Sequence, residues 1–162
     1  MANVYTTTRT CHKLLSIDQV NSTLSSLNEN GYEQRIKCLA IFKGFITRND
    51  FDVMSQKISE SKGKHETHVY DSRHRVLDQK SEALVSKIGI FEYKDRFFFA
   101  DIANVSEDLL IEEQLYMVYG KFESVDGDVP VFFCNLLSHI GKVNDDIFET
   151  VHGLLKIKGI VN

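Results

Sequence analysis

The chain has 162 residues, 43% of them apolar and 26% charged, with a formal net charge of −4. A single domain of this size buries a core without covalent staples, and the acidic balance disfavours strong, sequence-independent grip on a phosphate backbone by this chain alone, so that a local basic patch or a basic partner would have to supply the contacts. The cysteines, Cys11, Cys38 and Cys134, are far apart and form no CxxC, which points to a reducing compartment. No leader-like or membrane-length apolar run is present, so the cytosol or the nucleus is expected.

Residues 1–12 are polar and rich in threonine and read as a flexible arm; residues 13–162 read as one domain. A helical segment is expected within 13–31. Ser16 is its N-cap, Ile17, Val20, Leu24 and Leu27 its apolar face, and Asn30-Gly31 its stop. Arg35–Thr47 is β-branched and aromatic, with Gly44 inside it, where a bulge or bend is expected. The long connection Asn49–Glu82 offers a short helix around Phe51–Ile58 and a strand around Thr67–Tyr70.

Leu84–Tyr93 and Arg96–Ala103 read as a hairpin around Lys94-Asp95. After the polar spacer Asn104–Gln114, Leu115–Glu123 and Val129–Ile140 form a second pair. Alternation places Leu115, Met117 and Tyr119 opposite Tyr116, Val118 and Phe122. In the last strand it sets Val131, Phe133 and Leu137 against Phe132, Cys134, Leu136 and Ile140. Of the runs Phe97-Phe98-Phe99 and Phe132-Phe133, about half of each is expected inside. Asp145–Lys158 closes the chain as an amphipathic helix capped by Asn144 and stopped by Gly159.

The order hairpin, spacer, hairpin, helix, after one bent strand, predicts an all-β domain with flanking helices. It is the order of a five-stranded Greek-key OB-fold barrel over 35–140, followed by a C-terminal helix over 145–158. In such barrels the connection between the first two strands helps to clamp the ligand. An open-sheet adaptor of the longin or roadblock kind is the alternative from another class. Strand order separates the two.

Chemistry-bearing groups are sparse. His65-x-x-His68, with His74 nearby, has the spacing of two metal ligands, but no second pair follows and the histidines read as solvated. Cys134 near His139 matches no nucleophile elbow and reads as a small core hydrophobe. No glycine-rich phosphate loop occurs. No enzyme activity, metal, cofactor or small-molecule substrate is expected. Lys57–Lys87 holds seven cations against five acids, and Lys62, Lys64, Tyr70, Arg73 and Arg75 are its candidate contacts for weak binding of single-stranded nucleic acid.

The run RFFFADI, a spacer, LYMVYGKFE with Gly120, a turn containing glycine, VPVFFCNLLSHI and a final helix resemble the smallest OB subunit of the telomeric CST complex. That complex is an RPA-like trimer, so the small RPA subunit is similar too. The mass of 18.6 kDa matches the CST-like small subunits of ciliate telomerase holoenzymes. The resemblance spans roughly Arg35–Lys158 and departs from the family in the length of Asn49–Glu82 and in the helix at Ile17–Leu27. It implies a nuclear, telomeric protein that pairs with a larger OB-fold subunit, contacting single-stranded DNA weakly or indirectly. It also implies that the closing helix, through Ile147, Phe148, Val151, Leu154 and Leu155, packs on the partner.

Overall fold

The computed structural model describes residues 12–26, 34–61, 67–75, 84–106, 110–123 and 129–142, and positions 150, 153, 154 and 157. Its strands are β1 (Lys13–Leu15), β2 (Ile36–Thr47), β3 (Tyr70–Asp71), β4 (Leu84–Tyr93), β5 (Arg96–Asp101), β6 (Gln114–Glu123) and β7 (Val131–Lys142). Its two full helices are α1 (Ile17–Ser26) and α2 (Arg48–Ser61).

Five strands close a ring in the order β2-β4-β5-β7-β6, and β6 returns to β2. The closure depends on β2 pairing twice. Ile36–Ile41 lie against β6 and Ile41–Thr47 against β4. A strand that serves both halves must bend, and it does so at Gly44, whose φ of +120° a side chain would resist. The register against β4 slips on each side of that bend. β5 and β7 meet in parallel at Ala100↔Phe132 and Asp101↔Phe133, while the other barrel pairs are antiparallel. This is the OB topology. It excludes the open antiparallel sheet of a longin or roadblock domain.

Inside the barrel, Phe42, Phe91, Phe98, Tyr116, Val118, Phe122 and Phe132 form one cluster. Helix α1 closes one end of it. Ile17, Val20 and Leu24 are buried there, at the spacing that one helical face requires. Ser16 starts this helix with one half of a capping box: its amide donates to Gln19 Oε1 at 3.1 Å, while the Gln19 amide donates to the Ser16 backbone carbonyl at 3.0 Å.

Several expectations change. Residues 13–15 are a strand parallel to Ile36–Cys38, not the start of the helix. His12, expected in the flexible arm, packs its ring 5.5 Å from that of Tyr119. The spacer after β5 holds turns among its described residues and is tied to the bend of β2. There Glu113 N–H donates to Phe42 O at 2.8 Å and the Lys43 ammonium sits 2.8 Å from the Glu113 carboxylate.

The strict alternation expected in β6 and β7 also fails, because the register slips twice. Gly120 faces Cys134 while Tyr119 faces Leu136, and Tyr116 faces His139 while Leu115 faces Gly141. Asn135 and Ile140 are the extra residues. The first slip turns Leu137 inward with Phe132 and Cys134 and Leu136 outward, so each leaves the face that strict alternation gave it. Leu115 joins Tyr116 in the core instead of opposing it.

Candidate interaction surfaces

The connection between β2 and β4 makes a second core on the outer face of the β4–β5 hairpin. Thr47 caps α2, its hydroxyl accepting from the Asp50 amide at 3.1 Å. The helix then presents Phe51, Met54 and Ile58 to Ile46, Ile88, Ile90, Phe97 and Phe99. Phe51 and Phe99 meet at 5.1 Å between ring centroids. β3 follows and pairs Tyr70 with Phe97 and Asp71 with Arg96. Asn21 of α1 holds the approach to β3 from behind. Its side chain accepts from the His68 and Val69 amides at 2.7 and 2.9 Å and donates to Val69 O at 2.8 Å.

This outer face, on the second and third barrel strands, is where OB folds commonly take oligonucleotides. Here the chain covers it with its own side chains. All of Phe97, Phe98 and Phe99 are buried, not half of them, because the barrel interior takes Phe98 while α2 and β3 cover the other two.

The candidate nucleic-acid residues fare accordingly. Tyr70 is 2% exposed and packs 5.5 Å from the Phe97 ring, so it is a core residue and not an open stacking platform. Arg75 reaches Glu92 at 2.8 Å. Arg73 is exposed, but its guanidinium lies 2.8 Å from Asp71, and that hydrogen bond, followed by the carboxylate's charge, holds its pKa above the ordinary value. The two arginine charges are thus balanced locally. Lys62 and Lys64 lie outside the described residues.

His68, expected in solvent, is 3% exposed, with its ring 5.1 Å from Phe122. His65 and the His74 side chain lie outside the described residues. Among the described residues no group of three or more His, Cys, Asp or Glu side chains could hold a metal ion. Cys38 and Cys134 are buried free thiols. Desolvation pushes Cys38 up to about 12 and Cys134 up to about 11, which suppresses the thiolate.

Large apolar side chains remain exposed elsewhere. Leu136 and Ile140 stand on β7, 57% and 39% exposed. Thr150, Gly153, Leu154 and Ile157 are helical, and their spacing places them on one face. On it Leu154 is 54% and Ile157 84% exposed. Of the residues expected to meet a partner, Leu154 is therefore open to solvent; Ile147, Phe148, Val151 and Leu155 lie outside the described residues. Sequence reading missed Leu136, Ile140 and Ile157 as contact candidates. Gly120, a glycine inside a strand, was the available signal for the first, since it marks the bulge that turns Leu136 outward.

No protein-family model matches this chain, and no curated protein matches it. Solved structures do. The crystal structure of the S. pombe Stn1–Ten1 complex is similar at 12% identity and a TM-score of 0.45, over 90% of this chain and 92% of that chain. The crystal structure of telomere capping protein Ten1 from Saccharomyces pombe is similar at 12% identity and a TM-score of 0.44, over 90% of this chain and 98% of that chain.

Proposed function

We propose that this chain is the small OB-fold subunit of a CST- or RPA-like complex, that it acts at telomeric single-stranded DNA and telomerase, and that it does so mainly by binding a larger OB-fold partner. It is a binding subunit, not an enzyme, and its place is the nucleus, at chromosome ends.

One observation carries the protein-binding part: the customary oligonucleotide face of the barrel is filled by Phe51, Met54, Ile58 and Tyr70 of the same chain, whereas Leu136, Ile140, Leu154 and Ile157 are left exposed. Leu154 and Ile157 share one helical face, and an exposed apolar face gains from a partner's cover. The telomeric part is supported by the resemblance of the Arg96–Ile140 pattern to the small CST subunit. The net charge of −4 agrees with DNA contact made chiefly through the assembly.

Capture of the tagged full chain from its own cells, with identification of what co-purifies, tests the reading. A larger OB-fold protein is expected, together with focal nuclear signal at telomeres. A joint Leu154→Arg, Ile157→Arg change should then weaken the partner by about a hundredfold, or roughly 2.7 kcal/mol. Both side chains are exposed, so the melting temperature of the isolated chain should hold. Capture of no OB-fold partner, or undiminished affinity of the double variant, contradicts the reading.

A further inference from the structure

The outer face of β1, β2 and β6 is distinct from the covered outer face of the β4–β5 hairpin. Three cations converge on it. Lys37 pairs across the ladder with Tyr119, and Ile36 with Gly120, which puts Arg35 and Lys121 at the next outward positions. The Lys37 ammonium lies 5.9 Å from the Tyr119 ring centroid. His12 comes in from the β1 side and packs edge-on with the same ring.

Compensation is incomplete. Glu123 lies 3.2 Å from Lys121, but among the described residues neither Arg35 nor Lys37 is held in an ion pair. His12 reports the resulting potential. Its pKa is lowered from 6.5 first by burial and then by the charges of Arg35 and Lys37, so these two cations act on the same space. In a chain of net charge −4, such a patch runs against the overall balance.

We infer that this face is a contact site for single-stranded nucleic acid, with Arg35, Lys37 and Lys121 on the phosphodiester backbone and Tyr119 beside a base. Outward residues two apart on a strand stand about 6.6 Å from each other, close to the phosphate repeat of an extended single strand. The half-buried lysine stems hold their charges at the surface of a flat ladder, and the tyrosine gives the sequence-tolerant ring that such sites use. The site takes the strand away from the customary OB face, which α2 fills. An incoming phosphate would offset the repulsion felt by His12 and draw a proton onto its ring. The other groups facing it are Arg35 just before β2, Lys37 of β2 and Tyr119 of β6; Asp18 of α1 lies 3.6 Å from Arg96.

The isolated full chain and an oligothymidine at low salt suffice as a test, so a failure here is separate from a failure to find a protein partner. Binding should be weak, on the order of 10 μM, with log affinity falling against log salt at a slope of about −2 for three phosphates on a single strand. A joint Arg35→Glu, Lys37→Glu change should weaken binding at least tenfold and flatten the slope, while Arg73→Glu leaves it within about twofold. Lys37→Gln, which keeps most of the stem, supplies the same comparison if the reversal unfolds the chain. Tyr119→Leu should weaken the oligothymidine but not inorganic polyphosphate. The His12 ring protons, followed by NMR, should titrate at higher pH with oligonucleotide bound. The site is overturned if no binding occurs, if Arg73→Glu weakens binding and the Arg35/Lys37 change does not, or if duplex DNA binds as tightly as the single strand and Tyr119→Leu is silent.

Discussion

Gly120 on β6 lies so close to Phe133 on β7 that a Cβ added at Gly120 would stand 1.9 Å from the Phe133 carbonyl oxygen. The obstacle is backbone, so no rotamer change relieves it. The approach occurs where the register slips by one residue, and that slip sends Leu136 to solvent and Leu137 to the core. A missing side chain on one strand thus decides which leucine of the next strand is available to a partner.

Gly120→Ala should therefore cost at least about 3 kcal/mol, at the upper end of overpacking effects. Urea denaturation of the isolated chain measures it. Gly44→Ala, where the problem is a positive φ and the nearest atom is the mobile carboxylate of Glu112 at 3.0 Å, should cost less, about 1–2 kcal/mol. Equal losses at the two positions would contradict the close-approach account.

The cover over the β4–β5 hairpin should behave as part of the core and not as a loose lid. Met54 is fully buried between α2 and that hairpin. Met54→Ala should remove about 2–5 kcal/mol of stability. Hydrogen exchange should show α2 amides protected nearly as well as those of β4. A loss under about 1 kcal/mol, with fast exchange confined to α2, would instead describe a cover that opens by itself.

The hairpin between β4 and β5 turns on Lys94 and Asp95, whose φ values are +43° and +63°. Two positive values match the type I′ turn, whose preferred residues are Asn and Gly. Lys94→Asn with Asp95→Gly should raise stability by roughly 0.5–1 kcal/mol. The brace from the Ser72 amide to the Asp95 carbonyl at 2.8 Å is made by backbone and survives the change. Thermal unfolding of the double variant checks the sign.

His12 makes stability depend on pH in a defined direction. Its folded pKa lies below the 6.5 of the ordinary group, through burial and then through Arg35 and Lys37. The unfolded chain therefore holds more protons at this position between the folded value and 6.5. Its contribution is complete above that upper limit and declines as the pH falls through the window. Relative to His12→Gln, the wild type should lose stability on going from about pH 7.5 to about pH 5.5. Urea midpoints at a series of pH values, taken for both chains, test this; parallel curves would remove His12 from the account.

Much of this fold is written in local pattern. The bend at Gly44, the Lys94-Asp95 hairpin, the Ser16 cap and the face of Ile17, Val20 and Leu24 each depend on residues within a few positions of one another. Chain order alone then pointed to the OB barrel, because few topologies connect a bent strand and two hairpins without crossing. The tertiary structure decided which faces are free. Whether Phe97, Phe99 and Tyr70 stack on a ligand or pack in a core depends on α2 arriving from far along the chain. Whether Leu136 points in or out depends on a slip between two strands. The meeting of His12, Arg35, Lys37 and Tyr119 requires β1, β2 and β6 to lie side by side. Period-two alternation says that a strand has two faces; only the pairing of distant strands, with its bulges and covering helices, says which of them meets water.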